Sequence, residues 1–285
     1  MNNTLFSLTQ YALSELKDTY SENEIRSICR LIFMDVLNYT NINIHLKKYE
    51  SLPESFVNKF YHIIARLKKN EPIQYIIGET EFAGLKIKLN PAVLIPRPET
   101  EELVYWIGES VSSPRRILDI GTGSGCIAIA LSRLFPSAQV LGIDISEEAL
   151  KTARDNALTH SAPVAFRQKN ILDYKPEKEE KYDLIVSNPP YVRQCEKKMM
   201  QKQVLDFEPH QALFVPDESP LLFYQQIAIL APRILLPGGS LFFEINEAFG
   251  KEIQEMLCHL NFQQIELKQD IFGKDRFVKC KLSQG

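Results

Sequence analysis

Asn188, Pro189, Pro190 and Tyr191 follow a strand-like run, Tyr182 to Ser187, and their chemistry suits one task, gripping a planar NH2 group. The Asn188 side chain offers a carbonyl acceptor. The Pro189-Pro190 step holds a backbone carbonyl rigidly with no N–H to compete, and Tyr191 supplies a flat face. A turn that only ends a strand uses the same residue types, so the tetrapeptide needs a partner site before it means chemistry. That partner lies upstream, where the apolar run Ile117 to Ile120 enters Gly121, Thr122, Gly123, Ser124, Gly125 and then an apolar helical stretch, Ile127 to Leu134. Strand, glycine turn and helix N-terminus form a nucleotide cradle. A dinucleotide fingerprint would need its third glycine at position 126, which is Cys126, and no Gly-Lys-Ser/Thr follows to make a phosphate loop. Gln139 to Ile143 reads as the next strand and delivers Asp144 at its end, suited to accept from both hydroxyls of a ribose. Glycine turn and strand-end acid together imply an adenosine-type ligand.

Positioning these residues requires a sheet, and the chain supplies its strands in order: Arg116 to Ile120, Gln139 to Ile143, Val164 to Gln168, Tyr182 to Ser187 and Ser240 to Ile245. Helical stretches separate them, so right-handed crossovers give a parallel sheet, which Phe262 to Lys268 and Arg276 to Leu282 complete as a terminal pair. The front of the chain reads differently. Leu5, Leu8, Ala12, Leu13 and Leu16 mark one amphipathic helix, Ser21 to Glu24 is a capping box opening a second with Ile25, Ile28, Cys29, Ile32 and Val36 inward, and Pro53 precedes a third with Phe56, Phe60, Ile63, Ile64 and Leu67 on one face. Lys68 to Pro72 ends it. Glu79 to Phe82 and Leu85 to Leu89 alternate around Ala83-Gly84 as a β-hairpin, and Ile95-Pro96-Arg97-Pro98 then favours extended backbone before Glu99 begins a helix. The fold class expected is α/β: an N-terminal helical bundle over 1–70, a β-hairpin connector over 71–98 and a Rossmann-like seven-stranded domain over 99–285.

Composition narrows the function classes. The 285 residues carry 33 Lys+Arg against 36 Asp+Glu, net −3, which leaves no global electrostatic footprint for nucleic acid. No apolar run reaches the roughly 20 residues of a membrane span, and Met1-Asn2-Asn3-Thr4 lacks a charged signal-peptide start, so the expected compartment is the cytoplasm. The five cysteines, Cys29, Cys126, Cys195, Cys258 and Cys280, never fall in Cys-x-x-Cys spacing, and the five histidines are isolated, so neither a disulfide framework nor a metal site is expected. Lys175 to Lys181 reads as a solvated charged loop.

The Asp119 to Gly125 run, Asp144 and Asn188 to Tyr191 together resemble class I S-adenosylmethionine-dependent methyltransferases acting on planar nitrogens. Gln74 to Gly78, Glu81-Phe82, Leu94 to Glu101, Phe207 to Leu213 and Asp270 to Phe277 are more specifically similar to the HemK/PrmC family, which methylates the glutamine of the Gly-Gly-Gln motif in peptide chain release factors. The likeness spans most of the chain from about Glu71. It implies S-adenosyl-L-methionine as cofactor, class 1 release factors as protein substrates, a part in translation termination, no direct nucleic-acid partner and a monomer. It also implies that the helical front end docks the substrate. Asn188, Pro189, Pro190 and Tyr191 would be the catalytic and substrate-binding set. Asp119, Gly121, Thr122, Gly123, Ser124, Gly125, Asp144, Asn170, Ile171, Asn188 and Phe82 would hold the cofactor, with Arg97 to Glu101 roofing it. Two positions depart from the family pattern: Asn170 stands where an acid usually faces adenine, with Asp173 as the alternative, and Pro220 stands in a turn where a glycine is common. A DNA adenine or RNA guanine methyltransferase shares the tetrapeptide, and a non-enzymatic cofactor-binding module is the remaining alternative.

Overall fold

The computed structural model describes residues 3–177 and 179–283, so Lys178 of the charged run and the Met1-Asn2 start lie outside the described residues. Contacts between Cα positions divide the chain into two compact units. One comprises Met1–Gly78 with Gln201–Phe207, and the other Glu79–Met200 with Glu208–Gly285.

The first unit is helical: α1 (Leu5–Leu16), α2 (Glu22–Leu37), α3 (Asn41–Leu46), α4 (Glu54–Leu67), α5 (Ile73–Ile77) and the later α9 (Lys202–Phe207), numbered in chain order. Thr4, Ser21 and Thr40 open α1, α2 and α3 with reciprocal capping boxes, which satisfy orphan N–H groups at each start. Only Ser21 to Glu24 has the Ser-x-x-Glu form that marks such a box in sequence; α3, six residues with no buried side chain, has no periodic stripe to announce it. The apolar faces of α1, α2 and α4 close on one another through Leu8, Ala12, Ile25, Cys29, Phe60 and Ile64, each buried, and Phe33 stacks on Phe60 with centroids 5.8 Å apart. Burial of each such large side chain contributes about 1.5–3 kcal/mol. Ile73 and Ile76 pack against the same core, which carries this unit past the boundary at residue 70. The segment carrying α9 is tied in by Gln203, whose side-chain NH2 donates to the Tyr20 hydroxyl at 2.7 Å.

The second unit begins with a hairpin, β1 (Glu79–Phe82) and β2 (Leu85–Lys88), whose two turn residues Ala83 and Gly84 both take positive φ, 48° and 71°. That is the turn whose twist matches paired strands. The main sheet contains β3 (Arg116–Ile120), β4 (Gln139–Asp144), β5 (Val164–Gln168), β6 (Tyr182–Ser187), β9 (Leu235–Glu244), β10 (Phe262–Gln269) and β11 (Asp275–Leu282), in the order β10-β11-β9-β6-β3-β4-β5. A small parallel pair, β7 (Val192–Arg193) and β8 (Phe214–Val215), stands apart from it. The five strands from β9 to β5 are parallel, and β11 runs antiparallel between β9 and β10. The helices are α6 (Pro98–Ser110), α7 (Cys126–Leu134), α8 (Glu147–Thr159), α10 (His210–Leu213), α11 (Leu222–Ile234) and α12 (Gly250–His259).

β9 starts five residues before the predicted Ser240. A register shift against β6, between Tyr182 and Leu184, absorbs Pro237, Gly238 and Gly239, residues that read as a strand break in the sequence. Four of the five β3 residues, Ile117 to Ile120, are buried, as a central strand covered on both faces must be. From β3 the chain order runs to β4 on one side and β6 on the other, so β3 and β6 flank the topological switch point at which ligands lie in open α/β sheets.

Candidate active site

Two strand ends set the site. Ile120 of β3 pairs with Ser187 of β6, and the Ser187 hydroxyl donates to the Ile120 carbonyl at 2.7 Å. The next residue on each strand is therefore Gly121 of the glycine turn and Asn188 of the tetrapeptide, and a Cβ added to Gly121 would lie 3.9 Å from the Asn188 carbonyl oxygen. Gly121, Gly123 and Gly125 all take positive φ, which only glycine adopts without strain. Their surroundings differ. A Cβ on Gly123 would enter open space at the cleft, whereas one on Gly125 would come within 3.0 Å of the Ala153 Cβ.

The cleft holds about 450 Å³ and is lined by Gly121, Thr122, Gly123 and Ser124, by Asp144, Asn170 and Ile171, and by Asn188, Pro189 and Pro190. Pro91 to Leu94, Pro96, Thr100, Pro209, Gln211 and Ala212 form other walls. The connector is fastened by Glu208, whose carboxylate accepts from Arg97 at 2.6 Å and from the Ile95 N–H at 3.3 Å.

Asp119 is fully buried, its Oδ2 accepts from the Thr122 hydroxyl at 2.6 Å, and its Oδ1 has no hydrogen-bond partner among the described residues. Burial pushes its carboxyl up to about 7, offset in part by Thr122 and the nearby Ala128 amide. Asp144 takes the Gly123 N–H on Oδ2 and the Ser146 N–H on Oδ1, both at 2.9 Å, while the cap of α8 falls to Ser146. Each Asp144 oxygen keeps a lone pair for a further donor. Burial raises its pKa and these backbone bonds oppose the rise. The cleft fits an aminoacyl-adenosine: a cradle open at Gly123 and a strand-end acid at Asp144 with lone pairs for a ribose, the turn being held from behind by buried Asp119 through Thr122.

Asn170 lines the cleft with its Oδ1 turned to the Leu172 N–H at 3.1 Å, and Asp173 is exposed and absent from the lining. Phe82 is buried in β1 and does not line the cleft. Neither does Tyr191, whose ring packs against the core of the second unit and whose hydroxyl donates to Glu244 Oε1 at 3.0 Å. Gly125 is turned to Ala153 and Phe166, and Asp119 acts from behind the turn. Glu244, buried at the end of β9, also accepts from Thr100 at 2.7 Å, and the Asn188 NH2 donates to the Thr100 hydroxyl at 3.2 Å. Sequence reasoning missed Glu244; an acid ending an apolar strand, Leu241-Phe242-Phe243-Glu244, was the available signal. Among the described residues no helix is long and apolar enough to cross a membrane, and no group of three His, Cys, Asp or Glu side chains is placed to hold a metal.

Residues 7–78 match the PrmC N-terminal domain family and residues 112–262 match a methyltransferase domain. The chain is 46% identical to the release factor glutamine methyltransferase of Bacteroides thetaiotaomicron, over 95% of this chain and 98% of that protein. It is 45% identical to the same enzyme of Flavobacterium psychrophilum, over 95% and 96%. In fold it is similar to a methyltransferase from Pyrococcus furiosus, with a TM-score of 0.54 at 19% identity over 77% of this chain and 97% of the other. It is also similar to the T. thermophilus 16S rRNA N2 G1207 methyltransferase, solved with AdoMet and guanosine, with a TM-score of 0.52 at 18% identity over 72% and 49%.

Proposed function

The chain belongs to the release factor glutamine methyltransferases, and on that premise we propose that its cleft methylates the Gly-Gly-Gln glutamine of class 1 peptide chain release factors at N5, in the cytoplasm. Bound S-adenosyl-L-methionine supplies an electrophilic methyl group. The turn from Gly121 to Ser124, Asp144 and the Asn170-Ile171 wall would hold it, with Asp119 fixing the turn from behind through Thr122.

The difficulty of the reaction is that an amide nitrogen is a poor nucleophile, its lone pair being delocalised into the carbonyl. Asn188 Oδ1 and the Pro189 carbonyl accept the two N–H bonds of the substrate amide, which aims the nitrogen and favours its pyramidal form. A well-placed preorganised dipole contributes about 3 kcal/mol at such a centre. Holding nucleophile and electrophile at reacting distance supplies about 7–11 kcal/mol more, so no strong general base is required and the proton leaves to water. The observation that carries this reading is the orientation of Asn188, whose NH2 is engaged by Thr100 and whose carbonyl is thereby left for the cleft.

The test is methyl transfer from labelled S-adenosylmethionine to release factor, to DNA and to RNA in parallel. Label in release factor alone is expected. Label in nucleic acid alone, or in none, would overturn the reading. Asn188→Ala should keep the fold and much of the cofactor affinity yet lower turnover about 100-fold, measured under saturating cofactor.

A further inference from the structure

We propose that Thr100 and Glu244 are positioning residues that fix the orientation of the Asn188 amide, so that its carbonyl oxygen and not its NH2 faces the substrate; this rests on Asn188 being an acceptor for the glutamine amide. An Asn side chain has nearly the same shape in both orientations, and the wrong one would set NH2 against the substrate NH2, donor against donor. Something must break that symmetry.

The hydrogen bonds break it by their direction. Glu244 accepts on both oxygens, from the Tyr191 hydroxyl on Oε1 and from the Thr100 hydroxyl on Oε2 at 2.7 Å, so the single Thr100 proton is committed to it. Only lone pairs of Thr100 Oγ1 then remain toward Asn188, 3.2 Å away, and they accept from NH2. Turning the amide over would oppose two oxygens with no proton between them. Glu244 Oε1 meanwhile accepts from the Tyr191 hydroxyl at 3.0 Å, so one buried carboxylate anchors the tetrapeptide at both Asn188 and Tyr191. The parts come from the first turn of α6, the loop after β6 and the end of β9. Thr100, Glu244 and the Tyr191 hydroxyl each have a partner, as a buried network requires, and only the Asn188 carbonyl is left over.

Thr100→Val, which removes the hydroxyl at equal shape, should lower the turnover of a Gly-Gly-Gln peptide at saturating cofactor about 10–100-fold, the usual cost of losing an outer partner of a working group. Thr100→Ser, keeping the hydroxyl, should restore most of it. Glu244→Gln should lose as much as Thr100→Val, because its amide NH2 can donate to Thr100, releasing the Thr100 proton toward Asn188 and inverting the orientation. In an Asn188→Ala background, Thr100→Val should add no further loss.

Wild-type turnover in Thr100→Val, equal losses in the Val and Ser variants, or additive loss in the double variant would overturn the proposal. Should Thr100→Val fail to fold, the near-isosteric Glu244→Gln carries the comparison, and full activity there is equally fatal. An inactive Asn188→Ala beside an active Thr100→Val defeats this proposal alone. An active Asn188→Ala defeats the reading of the site together with it.

Discussion

Asp119 and Asp144 bracket the glycine turn, and their surroundings predict different experiments. Asp119 is raised from 3.8 to about 7, so the fold favours its neutral form: its contribution to stability is fully present below 3.8 and is lost as pH rises through about 7. A cofactor ammonium held in the turn in front of it favours the ionised form through its charge, which reverses the sign for binding. Affinity for S-adenosylmethionine should therefore be higher above pH 7 and weaken below it; calorimetry on both sides of that value checks it, and Asp119→Asn should flatten the profile. Asp144→Ala should weaken cofactor binding by about 1.5–3 kcal/mol, the range for hydrogen bonds to a charged group, and unchanged affinity would count against a ribose contact. These acids, the glycine turn and Asn188 were legible because each sits within a few residues of a strand end that its own motif marks. Glu244 shows in sequence only as an acid ending an apolar strand, and its role is hidden because its partner Thr100 lies 144 positions away and only the assembled sheet joins them. Phe82 and Tyr191 sit in motifs that are visible in sequence, but which way a side chain turns depends on packing that no motif states.

At the level of elements, the glycine turn separates two costs. Gly125→Ala forces a Cβ to 3.0 Å from Ala153 and 3.2 Å from Phe166 at a φ of +80°, between α8 and β5. It should destabilise the protein by about 1–3 kcal/mol, read from urea unfolding. Gly123→Ala meets no atom within 4 Å, so its stability cost should be the smaller, about 1–2 kcal/mol of backbone strain, while cofactor affinity falls because the added methyl stands in the cradle. Equal effects of the two substitutions on both readouts would contradict this division. Most strand limits could be read directly, because apolar runs bounded by turn residues are local facts; β3, β5 and β6 span the predicted residues. β9 could not, because Pro237 and Gly238 are tolerated only through a register shift against a neighbour. Likewise α3 and α9, six residues each and without a buried face, carry no periodic signal at all.

For the whole molecule, the helical unit is the proposed grip on a folded release factor, and deletion of residues 1–78 separates that role from catalysis. Such a variant should still bind cofactor and still methylate a Gly-Gly-Gln peptide, but transfer to intact release factor should fall far more, since remote binding energy positions a large substrate. Equal loss on peptide and protein would mean the helices only support the fold, and undiminished transfer to intact protein would end the docking idea. The division of the chain has one more consequence, for recombination. Because Gln201–Phe207 belongs to the same compact unit as Met1–Gly78, the helical unit is not a cassette encoded by one contiguous stretch. A chimera that exchanges only the first 78 residues between two relatives would place a foreign bundle around a native α9, with Gln203 facing whatever replaces Tyr20. Functional hybrids should therefore require both segments to cross over together, and a library of single-junction hybrids at Gly78 should be depleted wherever the parents differ at both.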